Sequence, residues 1–229
     1  MVEVKIILEG VVGSHAYGLN HADSDIDTAG IFVEPTSSVL GLYGFKESIV
    51  HNDGTDKTTD PDVSYHEVGK FIRLAIAGNP TVSELLWLPE HTKLEVEGRW
   101  LVEHRDLFLS QAVRKTYGGY ARQQFKRLQE RGDFSSTLKN RTAKHAKHMT
   151  RLILQGTQVL QEGTLRVRLT ASEALVCKTM GDMAADNQDE FIEVAEIMLS
   201  EFDTIKSDLP MMPDIAPLNE LLLAIRARN

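Results

Sequence analysis

The sequence of 229 residues has a single cysteine, Cys177. That excludes a disulfide within the chain and any zinc cluster built on cysteines. Long apolar stretches are also missing. The longest runs cover a few residues, such as Leu221-Leu222-Leu223-Ala224-Ile225, whereas a membrane span needs about 20. No membrane partner is expected. The first ten residues carry Glu3, Lys5 and Glu9 among their aliphatics, a spacing unlike that of a signal peptide, so a reducing cytoplasm is the expected compartment. There is no internal repeat and no low-complexity stretch. An excess of positive charge is lacking too: the net charge is −8 and the pI about 5.5, which argues against a generic nucleic-acid coat.

What is present suits a folded chain. With 42% hydrophobic residues it is too apolar to stay disordered, and its length suggests one to two domains. The charge is unevenly spread. Between Arg114 and Arg151 eleven Lys and Arg face two acids, Glu130 and Asp133, a net of +9 that leaves −17 for the rest. A basic segment on an acidic protein suggests a localised anionic partner, or a solvated helix face.

Two regimes divide the chain. Up to about residue 90, short β-branched runs alternate with turn residues. Val4 to Val12, Ile26 to Val33, Phe45 to Val50 and Val63 to Tyr65 read as strands. Glu67 to Ala77 then places Val68, Phe71, Ile72 and Ala75 on one helical stripe. Asn79-Pro80 resembles a cap opening another helix. Beyond residue 100 the pattern is helical: 106–130, 138–162, 172–185, 189–207 and 218–228, with Gly132 and Gly163 at helix ends. The expectation is an α+β protein, with a small mixed sheet and flanking helices in residues 1–100 and a helical module in 101–229.

Chemistry concentrates in residues 13–27. Asp25-Ile26-Asp27 leads into a strand, and alternation would put both carboxylates on one face about 7 Å apart, with Ile26 turned into the core. Converging carboxylates repel unless a cation lies between them, and hard oxygen ligands suit Mg²⁺, or Mn²⁺ in its place. Gly13-Ser14 directly follows the first strand. Glycine lets the backbone approach a ligand, and Ser14 with the following amides can hold a phosphate if a helical turn starts there. A lone D-x-D is common on surfaces and a lone Gly-Ser is most often a turn. Together, at two neighbouring strand ends, they have the geometry a magnesium-bound nucleoside triphosphate requires. Asp23 reads as a turn residue. His15 and His21 flank the site, each as a structural hydrogen bonder or a phosphate contact.

Gly13-Ser14 followed by Ser24-Asp25-Ile26-Asp27 resembles the active-site pattern of the DNA polymerase beta-like nucleotidyltransferase superfamily. The resemblance is closest to its RNA-repair-pathway branch, where Tyr17-Gly18 is the expected continuation. Gly78-Asn79-Pro80, Glu84-Leu85-Leu86, the stretch from Glu103 to Ser110, Gly119-Tyr120-Ala121 and the stretch from Lys144 to Leu152 also match. The likeness runs from residue 5 to about 170. It implies a third carboxylate on a later strand: Asp62, at the start of Asp62-Val63-Ser64-Tyr65, ahead of Asp60 in the loop and Glu67 in a first helical turn. It further implies two-metal transfer of a nucleoside monophosphate from a nucleoside triphosphate, ATP among them. Asp25, Asp27 and Asp62 would hold the metals, and a hydroxyl on a nucleic acid, RNA favoured, would be the acceptor.

Lys144, His148 and Arg151 fall on one helical face. They could meet a triphosphate, with Leu152, Val159 and Leu160 buried opposite. Lys147, Arg141, Arg122 and Lys126 are candidates for nucleic-acid contact. Trp87, Trp100 and Cys177 read as core. Two other readings remain open: nucleotidyl transfer to a protein or small molecule, and a nucleotide- or RNA-binding module without activity.

Overall fold

Alternating apolar residues in the first third of the chain build a five-stranded sheet. The computed structural model describes residues 4–22, 24–51, 62–129 and 136–229, so Asp23, Asp60, Glu130, Gly132 and Asp133 lie outside the described residues. The strands are β1 (Lys5–Val12), β2 (Asp27–Val33), β3 (Ser48–His51), β4 (Val63–Glu67) and β5 (Lys93–Leu94), in the order β3-β4-β2-β1-β5. Strands β2 and β4 are parallel; the other pairs are antiparallel.

The helices are α1 (Gly13–Tyr17), α2 (Thr36–Leu40), α3 (Val68–Ile76), α4 (Pro80–Ser83), α5 (Val96–Glu103), α6 (Ala112–Gln129), α7 (Ser136–Glu162), α8 (Ala171–Asp186), α9 (Gln188–Thr204) and α10 (Ile215–Ala227). Single 3₁₀ turns cover Glu84–Trp87 and Arg105–Phe108. The expected stripe of α3, with Val68, Phe71, Ile72 and Ala75, is buried as its spacing requires. Glu67 is the last residue of β4 rather than part of a helical turn. Ile26 precedes β2 and is 52% exposed, so it does not enter the core. Trp87 is buried beneath the Arg105 guanidinium, 4.2 Å from its ring centre, whereas Trp100 is only half-buried. Cys177 is buried, and burial, the largest influence, pushes its thiol up to about 11. None of the described helices is long and apolar enough to cross a membrane.

The chain divides into two compact units. The first comprises Met1–Ile76, Thr81–Phe108 and Pro213–Asn229 and holds the sheet; the second comprises Ala77–Pro80 and Leu109–Met212 and is helical. Sequence periodicity placed α10 with the helical module. It belongs to the first unit, because its charged end meets two buried acids there. Arg226 pairs with Glu67 at 2.5 Å, and Arg228 with Glu97 at 3.1 Å. Lys5 closes on Glu97 from β1 at 2.8 Å. In the second unit α7 packs on both α6 and α8, with Leu152, Val159 and Leu160 buried as expected.

Glu97 makes this closure pH-sensitive. Burial alone would raise its pKa; hydrogen bonds from Lys5, its own backbone and Arg228 outweigh that and hold it at about 2. A depressed carboxyl stabilises the fold above its unfolded pKa and loses that contribution as pH falls through the folded one. Glu97→Gln should therefore cost about 2 kcal/mol at pH 7, Lys5 and Arg228 being half-exposed. The difference from wild type should shrink between about pH 4.5 and pH 2. Urea unfolding at pH 7, 4 and 2 checks this, and a difference independent of pH would assign the cost to packing alone.

Candidate active site

Strand register brings the acids together. Val12 of β1 pairs with Asp27 of β2, and Thr28 pairs with Val63 of β4. The Thr28 amide donates to the Asp62 carbonyl at 2.8 Å, so Asp62 lies alongside Asp27 at the mouth of the parallel pair. Adjacent strands run about 4.8 Å apart and in-register side chains share a face. Asp27 and Asp62 accordingly line one cavity of about 400 Å³, together with Gly13, Tyr17, Ser64, His66, Phe71 and Glu84. All of these residues belong to the first unit.

Asp25 is placed differently. The strand begins at Asp27, so no alternation forces Asp25 onto the Asp27 face. Asp25 is exposed and is not among the residues lining the cavity. Glu67 is 1% exposed, engaged by Arg226 and by the Gly69 amide at 2.7 Å; it serves the packing of α10.

The glycine-serine turn sits beside Asp27. Gly13 has φ +69°, and a Cβ there would collide with Asp27 Oδ2. Only glycine lets the turn and the carboxylate come this close. Helix α1 starts at this point, the condition under which the amides after Gly13 could face a phosphate. The helix is closed by Gly18 at φ 74°, whose amide reaches the His15 carbonyl, while the Leu19 amide reaches that of Ser14. His15 ties the turn to the loop ahead of β2 through Nε2 and the Ser24 carbonyl, 3.1 Å apart. The His21 amide donates to Ser24 Oγ at 2.9 Å.

Tyr17 and Glu84 were not singled out as site residues. Tyr17 donates its hydroxyl to both carboxylate oxygens of Glu84 at 2.9 Å, and both side chains are buried at the cavity wall. Two separate stretches that carried the family resemblance thus meet in space. Alternation from Asp62 could have found two more lining residues, since Ser64 and His66 share its face of β4.

The basic helix divides by exposure. Arg141 and Lys144 on α7 are exposed, as are Arg122 and Lys126 on α6. Arg122 is paired with Asp203 at 2.5 Å. Lys147 is half-buried, its stem lying where a side chain on Gly181 would go. Arg151 is 1% exposed and donates to Gln155 Oε1 at 2.6 Å and to His148 Nδ1 at 3.1 Å. Burial, followed by the charges of Arg151, His145, Lys144 and Arg127, pushes the His148 imidazole down to about 3. His148 is therefore neutral, and its Nδ1 is an acceptor turned toward Arg151. Arg151, expected to offer charge to a phosphate, is instead buried in a network that runs through Gln155 to the Val167 carbonyl, 3.0 Å from Gln155 Nε2, and His148, neutral, offers no charge. All these groups belong to the second unit.

Among the described residues no three His, Cys, Asp or Glu side chains already converge as metal ligands. The donor chemistry still fits a hard divalent cation. Asp27 and Asp62 supply two carboxylates on one face, and Mg²⁺ commonly binds through one or two carboxylates completed by water and substrate phosphates.

The chain belongs to the RNA repair pathway DNA polymerase beta family, whose model matches residues 2–224. It is 25% identical over 178 residues to an uncharacterised 38.9 kDa protein of Enterobacteria phage T4 from the nrdC–mobD intergenic region, a match covering 74% of this chain. The matched region spans 51% of the phage protein, about half its length. Among solved structures it is similar to a nucleotidyltransferase-like protein from Exiguobacterium sibiricum 255-15, at 11% identity and a TM-score of 0.34, over 98% of this chain and 75% of that one.

Proposed function

We propose that the protein transfers a nucleoside monophosphate from a nucleoside triphosphate to a hydroxyl at a nucleic-acid end, RNA favoured, releasing pyrophosphate. The observation that carries this reading is the in-register placement of Asp27 and Asp62 at one cavity, with the Gly13-Ser14 turn pressed against Asp27. A new bond forms between the acceptor oxygen and the α-phosphorus, the bond to the β-phosphate oxygen breaks, and the hydroxyl proton leaves.

The chain's own groups do the positioning. Ser14 and the amides that follow it hold terminal phosphates. Asp27 and Asp62, with exposed Asp25 as a third candidate, would hold Mg²⁺ or Mn²⁺. When bound, such an ion neutralises phosphate charge and acidifies the acceptor hydroxyl. Asp62, exposed at the mouth, is the carboxylate an incoming hydroxyl meets first. The buried Tyr17–Glu84 pair fixes α1, and with it the turn, against the cavity wall. Catalysis by such a site is mainly orientation and charge placement. Exposed Arg141, Lys144 and Lys126 are the cations proposed to meet the acceptor strand.

Incubating the protein with each labelled nucleoside triphosphate, Mg²⁺ or Mn²⁺, and separate pools of RNA, DNA and protein tests the reaction. Label appearing in RNA supports the reading; label in protein alone replaces it with the modification reaction. Acceptor binding has its own test, a short labelled RNA followed by anisotropy across a salt series. Each phosphate contact adds roughly −0.7 to the log–log salt slope for a single strand. Arg141→Gln with Lys144→Gln should flatten the slope by roughly 1.4. An unchanged slope would remove these two side chains from the acceptor face.

A further inference from the structure

The second pleat of β4 carries a hydrogen-bond relay that neither the phosphate turn nor the carboxylates account for. His66 lines the same cavity as Asp27 and Asp62. Its Nδ1 lies 2.9 Å from Ser48 Oγ on β3, and Ser48 Oγ accepts from Lys70 Nζ at 2.8 Å. The strand register Ser48↔His66 sets the first contact, and α3 supplies Lys70.

Proton accounting within the relay points to one tautomer. An ammonium can only donate, so Lys70 occupies one lone pair of Ser48 Oγ. The Ser48 hydroxyl proton then has one acceptor among the described residues, His66 Nδ1. A ring whose Nδ1 accepts carries its proton on Nε2. Burial, followed by the Lys70 charge, lowers the His66 pKa, which favours the neutral ring. No described residue takes the Nε2 proton.

Position indicates what Nε2–H would meet. His66 lies four residues along β4 from Asp62, on the same face, roughly 13 Å away along the strand. With the triphosphate held at the Asp27–Asp62 end, the group that reaches His66 is the nucleoside. A neutral donor backed by a fixed relay suits an uncharged acceptor, a ring nitrogen, carbonyl or sugar oxygen.

We propose that His66 is a substrate-binding residue whose Nε2–H, oriented by Ser48 and Lys70, donates to an uncharged acceptor on the nucleoside of the bound nucleoside triphosphate. The proposal rests on the nucleotidyltransferase reading above. It separates the cavity into a phosphate end and a nucleoside end, with β4 running between them.

Three measurements on the full chain test it. ¹⁵N NMR of the histidine rings, with His66→Gln to assign the signal, should show Nδ1 unprotonated and Nε2 protonated at pH 7, and Ser48→Ala should blur that preference. Calorimetry should show nucleoside triphosphate with Mg²⁺ binding roughly 3–10-fold more weakly to His66→Ala, the effect of one lost hydrogen bond. His66→Gln, whose amide N–H can replace Nε2–H, should bind within about twofold of wild type. Inorganic tripolyphosphate with Mg²⁺ should bind wild type and His66→Ala equally. Equal nucleoside triphosphate affinity in wild type and His66→Ala, or a protonated Nδ1, overturns the proposal. Equal losses for tripolyphosphate and nucleotide overturn it as well, by placing His66 at the phosphate end or in the packing. Wild-type protein that binds no nucleoside triphosphate overturns the nucleotidyltransferase reading itself, and the subsite with it.

Discussion

Asp27→Asn is expected to leave the fold intact and to lower nucleotidyl transfer by at least about 100-fold, the scale on which single charge-stabilising groups act in a transition state. Asp27 stands between the glycine-serine turn and Asp62, so on the proposed reading it would face the phosphates and the second carboxylate at once. Like charges at neighbouring positions of a sheet cost roughly 0.2–1 kcal/mol. The metal-free variant should therefore be as stable as wild type or slightly more so. Thermal unfolding with and without Mg²⁺ or Mn²⁺ gives a readout independent of turnover: added cation should raise the midpoint of wild type and not of the variant. An Asp27→Asn protein that transfers label at the wild-type rate with the same metal dependence would defeat the assignment.

The second large effect belongs to Gly13→Ala. The new Cβ meets Asp27 Oδ2, and the residue must hold φ +69°. Left-handed backbone costs a non-glycine residue about 1–2 kcal/mol, and displacing the carboxylate misaligns the site, where an error of about 1 Å can cost 100-fold. We expect a moderate loss of stability with about a 100-fold loss of transfer. Gly18→Ala separates the two effects. It bears similar backbone strain at φ 74°, while Gly18 is not among the residues lining the cavity. It should lose comparable stability and much less activity. Equal activity losses in the two variants would mean that strain in α1, not contact with Asp27, explains both.

These outcomes bear on what the sequence could reveal. Periodicity located four of the five strands within a few residues and missed the two-residue β5, and it placed Val68, Phe71, Ile72 and Ala75 correctly because one helix face decides their burial alone. The neighbouring strand ends that carry Gly13-Ser14 and Asp27 were legible in the motif spacing, whereas Asp62 entered only through the family resemblance, and its place beside Asp27 comes from the parallel pairing of β2 with β4, a non-local contact. Alternation was extended two residues too far, to Asp25 and Ile26, where the strand has not yet begun. Arg151 shows a different limit. A cation at helical spacing with Lys144 reads as solvated, yet its burial is set by α6 and α8, which pack on α7. The Tyr17–Glu84 bond was visible only as two separate matching stretches. Their contact joins residues 67 positions apart.

The return of α10 carries a consequence for biosynthesis. A ribosome delivers β1 to β5 and the whole helical unit before residues 215–228 emerge. Until then Glu67 and Glu97, both about 1% exposed in the finished molecule, lack Arg226 and Arg228. Glu97 already has Lys5 of β1, but Glu67 lacks its cation until Arg226 arrives, and a buried carboxylate without its cation is costly, so the unit that holds the cavity closes after its sheet has been translated. Glu67 and Glu97, translated well before α10, thus reach their final electrostatic surroundings only after it. A nascent chain stalled before Arg226 would carry Gly13, Asp27 and Asp62 and still lack the ion pairs that α10 makes with Glu67 and Glu97.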